Sequence, residues 1–93
     1  MADTATERTY AIGVTVTLRP AVLDTQGKAI LRGLHALGFE AIEAVHAGKY
    51  FELAVRAASA EDALAQARRA CERLLSNPVI ETFSLALREE MPA

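Results

Sequence analysis

The side chains with the greatest chemical reach are few and scattered. Two histidines, His35 and His46, and one cysteine, Cys71, are the metal-ligand and nucleophile candidates. Neither histidine sits in an HxxxH or CxxC spacing, which a metal centre uses to aim its donors at one point. His35 falls beside an apolar helical stripe, where a structural role fits. His46 ends a short alternating run and reads as a surface residue. Cys71 lies mid-helix on an apolar stripe, one turn after Arg68, and reads as a small buried hydrophobe. Ser59, Ser76 and Ser84 lack the glycine elbow of a hydrolase nucleophile. Gly27-Lys28 has the last glycine and lysine of a phosphate loop, but the earlier glycine is missing and Ala29 stands where Ser or Thr is needed. Glu40, Glu43 and Glu52 offer carboxylates for proton transfer, yet carboxylates near reversals are solvated. Arg68, Arg69 and Arg73 form a basic stretch that reads as a solvated helix face. No catalytic constellation emerges, which points to a binding module or an accessory subunit.

Composition narrows this further. Ninety-three residues suit one domain, and a domain this small gains from an oligomer. The chain is 52% hydrophobic but only 5% aromatic, so its core is aliphatic. A net charge of −2 leaves no electrostatic footprint for nucleic acid and no polybasic patch for a membrane. An RNA-binding sheet would also need aromatics on its central strands, and Tyr50 is the one clear candidate. A single cysteine and the absence of a long apolar run suggest a reducing, cytoplasmic setting. Residues 1–7 carry neither a basic start nor an apolar core; they read as a flexible arm without a signal peptide.

The elements that position these groups follow from periodicity. In Arg8–Leu18, Tyr10, Ile12, Val14, Val16 and Leu18 alternate with Ala11, Gly13, Thr15 and Thr17, a clear strand. Gly13 marks a bulge or a close backbone approach. Asp24 caps a helix over Thr25–Leu37, with Ile30, Leu34 and Leu37 as its stripe and Gly38 as its stop. A second strand is expected over Phe39–His46. It forms a hairpin through Gly48 with a third strand, in which Phe51, Leu53 and Val55 share a face. Ser59 and Asp62 form a capping pattern for a helix over Ala60–Leu75, with Leu64, Ala67, Cys71, Leu74 and Leu75 buried. Asn77-Pro78 stops it, and Val79–Leu87 is the last strand, followed by a polar tail.

The order β-α-β-β-α-β predicts an α+β, ferredoxin-like domain over residues 8–89. It has a four-stranded antiparallel sheet, the first and third strands central, and two helices on one face. The open face, carrying Ala11, Thr15, Thr17, Tyr50, Glu52 and Ala54, is expected to dimerise.

Five segments then carry a resemblance. They are Val16-Thr17-Leu18-Arg19-Pro20, Val22–Ala29, Leu34–Phe39, Gly48–Leu53 and Leu74–Glu81. In this order, and at this spacing and length, the chain resembles PurS, the small subunit of phosphoribosylformylglycinamidine synthase. Thr25 replaces the family's usual proline in the first helical turn. The resemblance implies a non-catalytic homodimer that bridges a synthetase subunit, PurL, and a glutaminase subunit, PurQ, in purine synthesis. It also implies help in passing ammonia between them. The chain itself would hold no cofactor or metal, while the complex uses ATP and magnesium.

Within the matching segments, Lys28, Lys49 and Tyr50 have the thinnest structural explanation and are the partner-contact candidates. Lys49→Glu is expected to leave the fold intact and weaken the complex. The alternative from a different class is a stand-alone regulatory domain of ferredoxin-like shape that binds a small ligand. A minor enzyme using His35 or Cys71 is a third reading.

Overall fold

The computed structural model describes residues 7–92. The predicted arm therefore lies outside the described residues except for Glu7. The elements run β1 (Arg8–Leu18), α1 (Thr25–Ala36), β2 (Gly48–Ala57), α2 (Ala60–Ala70) and β3 (Glu81–Pro92). A single π-helical turn, Cys71–Leu75, extends α2.

β1 has the expected bounds, because five large side chains at period two give it one fully apolar face. Ile12, Val14 and Val16 on that face are completely buried. Each such side chain stabilises the fold by roughly 1.5–3 kcal/mol. The three strands are antiparallel in the order β2-β1-β3, so β1 alone is central. This is the ferredoxin-like order without its fourth, edge strand. α2 packs against all three strands. Its Ser59 cap holds, the hydroxyl accepting from the Asp62 amide at 3.1 Å. Ala63, Ala67 and Cys71 form the buried side of the helix.

The expected strand over Phe39–His46 is absent, and the reason is local. Gly38, at φ 99°, turns the chain off α1, a backbone state in which glycine costs least. The segment that follows gives its backbone to other partners. The His35 ring Nε2 donates to the Ile42 carbonyl at 2.7 Å, and the Ala47 amide donates to Asp24 Oδ2 at 2.8 Å. The Val45 carbonyl lies against Gly27. With those groups engaged, no ladder forms. Gly48 consequently makes no hairpin; it opens β2, paired with Thr17.

Three further expectations change. α1 does not lie on the sheet beside α2: Gly27 is its one buried residue. Leu74 is 83% exposed, because the π turn adds a residue to the helical repeat and swings Leu74 off the stripe while Cys71 stays inside. β3 starts at Glu81 and continues to Pro92, through the stretch read as a tail.

Candidate functional site: the base of the sheet

Four of the five sequence segments singled out above meet at one end of the sheet. The end of β1, the entry to α1, the start of β2 and the turn after α2 all converge there. Arg19 ties two of them: its Nε and Nη2 both donate to the Pro78 carbonyl, at 3.2 and 2.9 Å, and its amide donates to the Ile80 carbonyl at 2.8 Å. Glu81 ties a third. Its Oε1 accepts from the Asn77 amide at 2.8 Å, and its Oε2 pairs with Lys49 Nζ at 3.2 Å. The Asn77 amide first, and Lys49 after it, hold the Glu81 carboxyl below its ordinary pKa.

Asp24 fastens the helical segment to this base. Its Oδ1 accepts from the Gly27 amide and its Oδ2 from the Ala47 amide, both at 2.8 Å. These two amides, in that order, lower its pKa, with smaller help from His46 and Lys28. One carboxylate thus caps α1 and clamps the returning chain to it. Gly27 has no room for a side chain: an added Cβ would meet the Val45 carbonyl oxygen, and would lie 2.6 Å from Asp24 Oδ2.

The three partner-contact candidates do not gather at one point. Lys28 borders an open hollow of about 830 Å³ between the base and α1, with Arg19, Leu31, Val45 and His46 on its walls. Lys49 borders a smaller hollow beside Glu81. Lys49 already has a partner within the chain, so Lys49→Glu would set two carboxylates against each other. Lys28, whose charge is the smallest of the influences on the Asp24 carboxyl, is the cleaner site for a charge reversal. Tyr50 faces the other side of the sheet. Its hydroxyl stands 2.5 Å from where a Gly13 Cβ would be, and Arg88 Nη1 reaches it at 3.4 Å. Tyr50 thus spans the open face from β2 across β1 to β3, and this is the close approach foreseen at Gly13.

The groups read first for chemistry are placed as follows. Cys71 is fully buried, and desolvation pushes its thiol pKa up, which disfavours the thiolate. His35 is engaged with Ile42. The Arg68 guanidinium sits 5.6 Å from the Phe83 ring centroid, so this arginine has a contact inside the fold. Among the described residues, no group of three or more His, Cys, Asp or Glu side chains could hold a metal. Among the described residues, no helix is long and apolar enough to cross a membrane. Sequence reasoning missed Arg19, Glu81 and Arg88 as organising residues. Arg19 and Glu81 lie inside the segments that carried the resemblance, which was the available signal; nothing marked Arg88.

A family model described as PurS, phosphoribosylformylglycinamidine (FGAM) synthase, matches residues 11–89. The chain belongs to the PurS family. It is 42% identical over 74 residues to the PurS subunit of Synechocystis, covering 80% of this chain and 74% of that one. The PurS subunit of Archaeoglobus fulgidus is 38% identical over 76 residues, covering 82% and 95% of the two chains. The structure of PurLQS from Thermotoga maritima contains a chain similar to this one, with a TM-score of 0.81 at 30% identity. That likeness covers 86% of this chain and 98% of that one. PurS is the small subunit of FGAM synthase in purine biosynthesis, and membership replaces the alternative of a stand-alone regulatory domain.

Proposed function

We propose that this chain is the bridging subunit of FGAM synthase. It joins the PurL synthetase to the PurQ glutaminase, contributes no catalytic group, and works as a homodimer in the cytoplasm. The observation that carries this reading is the likeness to a chain in the T. maritima PurLQS structure. The site chemistry supports it. At the base, side-chain carboxylates and Arg19 hold backbone groups in place, which builds a rigid surface rather than a reaction centre.

ATP and magnesium act in the partner subunits in this reading. The role of the bridge follows from the chemistry of ammonia. In bulk water at neutral pH most of it becomes ammonium and loses its nucleophilicity. Surfaces that exclude water between the two active sites therefore serve the reaction without taking part in it.

The direct test is assembly. The chain is mixed with the matching PurL and PurQ subunits, with ATP, magnesium and glutamine, and resolved by size-exclusion chromatography with light scattering. Co-migration of all three, lost when this chain is left out, is the expected result. A PurL–PurQ complex that forms equally well without it refutes the bridging role. Lys28→Glu is expected to weaken co-migration at least tenfold in chain concentration, with an unchanged circular dichroism spectrum.

A further inference from the structure

We infer that the turn at 77–80, with Leu74 before it at the end of the π turn, is a docking corner for a different subunit, one that offers an apolar recess rimmed by carboxylates. Arg19 is the residue that positions it. This inference rests on the proposed bridging role and names a surface through which the bridge is made.

The first observation is how firmly an exposed turn is held. Pro78 fixes its own φ. The Asn77 carbonyl accepts from the Ile80 and Glu81 amides at 3.1 and 2.7 Å, and Asn77 Oδ1 accepts from the Val79 amide at 3.0 Å. From outside the turn, Glu81 Oε1 takes the Asn77 amide, the Arg19 guanidinium takes the Pro78 carbonyl, and the Arg19 amide takes the Ile80 carbonyl. Water could satisfy these surface groups instead. Fixing them in the free chain removes freedom that association would otherwise have to remove, which is the advantage of a preorganised contact.

The second observation is what the held backbone displays. Val79 is 79% exposed and Leu74 83%, on either side of the buried Ser76. Leu74 is outside because the π turn displaces it, and single π turns are frequent at functional sites. A lone exposed aliphatic side chain is ordinary. Here two are held out, each by a separate local device.

The third observation selects the occupant. Arg73 directly precedes Leu74, Arg69 lies one turn earlier, and both are exposed. Glu81 and Lys49 neutralise each other, and Glu72 offsets only one of Arg19, Arg69 and Arg73. The corner is therefore apolar with a cationic rim. A second copy meeting it about a two-fold axis would bring that rim to face itself, and like charges in apposition oppose contact. A different chain with carboxylates around an apolar recess meets both properties.

A titration of this chain into fixed PurL and PurQ, read as the glutamine-dependent rate of amidine formation, tests this. Two further readouts are taken on each variant alone: protection of Cys71 from a thiol reagent, for the core, and sedimentation velocity, for association between copies. Leu74→Gln combined with Val79→Asp, and separately Arg73→Glu, are each expected to raise the half-saturating chain concentration at least tenfold, with Cys71 protected and sedimentation unchanged. Val79→Asp alone replaces the double variant if that one exposes Cys71. Arg19→Lys cannot reproduce the guanidinium's paired donation to Pro78. It is expected to raise half-saturation at least threefold while the rate at saturation returns to the wild-type value, a split that damage to the fold would not produce. Half-saturation unchanged in the apolar variant overturns the docking corner, and unchanged in Arg73→Glu overturns the carboxylate rim. An Arg19→Lys protein that titrates like the wild type overturns the positioning role. Altered sedimentation of the apolar variant assigns the corner to contact between copies and overturns the inference. A wild type that leaves the glutamine-dependent rate unchanged removes the bridging role itself.

Discussion

Gly27→Ala is the substitution whose outcome two simple effects contest. Alanine favours helix over glycine by about 0.8–1.0 kcal/mol in a helix interior, and by less in the first turn, where Gly27 sits. Opposing this, the new methyl would run into the Val45 carbonyl oxygen and lie 2.6 Å from Asp24 Oδ2. The carbonyl is backbone. It can withdraw only if the returning chain moves, and the Ala47 amide bonded to Asp24 holds that chain in place. Overpacking of this kind costs typically about 1–3 kcal/mol. The steric term wins, and we expect a net loss of about 1–2 kcal/mol. For a domain of this size each kcal/mol moves Tm by about 4–8 °C, so the expected fall is on the order of 10 °C. Thermal unfolding is followed by far-UV circular dichroism at one fixed chain concentration, because association shifts Tm. Lys28→Ala is the control: that side chain is exposed, and its removal is expected to stay within about 0.5 kcal/mol. A Gly27→Ala protein as stable as the wild type would refute the close packing of α1 on the returning chain.

Two further outcomes follow from the caps and carboxylates. Ser59→Ala removes the hydroxyl that accepts from the Asp62 amide and is expected to cost about 1 kcal/mol, read by urea denaturation with an unchanged m-value. Asp24 and Glu81 are both held below their ordinary pKa values. Their contribution is therefore complete above the unfolded-chain values, near pH 4, and fades as pH falls through the lower folded values. Tm is expected to drop on acidification below about pH 4, and the Asp24→Asn, Glu81→Gln protein is expected to show a flatter profile. An identical slope in both proteins would show that other carboxylates govern the acid response.

The parts of the fold that were legible in the sequence are those fixed by local chemistry. β1 was readable because every second residue is large and apolar, and both helix starts because Asp24 and Ser59 are capping types at the right distance. The strand expected at Phe39–His46 failed because its fate depends on contacts from residues distant in sequence. His35 takes the Ile42 carbonyl inside it, and Asp24, across the chain, fixes the Ala47 amide just past its end. The stripe of α1 was visible as apolar, but periodicity reports that a face wants cover and says nothing of what covers it. The π turn at Cys71–Leu75 has no signal in hydrophobic spacing, so Leu74 was placed inside. Of the candidate contacts, Tyr50 and Gly13 were each noticed alone. Their contact, and the reach of Arg88 to the same hydroxyl, needed the register of three strands.

The measurement that bears most directly on the proposed role is reconstitution. PurL and PurQ are assayed for amidine formation with ATP, magnesium and formylglycinamide ribonucleotide, with and without this chain. Glutamine is the nitrogen source in one series and ammonium salt in the other. A coupling subunit should raise the glutamine-dependent rate at least tenfold while changing the ammonia-dependent rate little. Equal glutamine-dependent rates in its presence and absence would contradict the account.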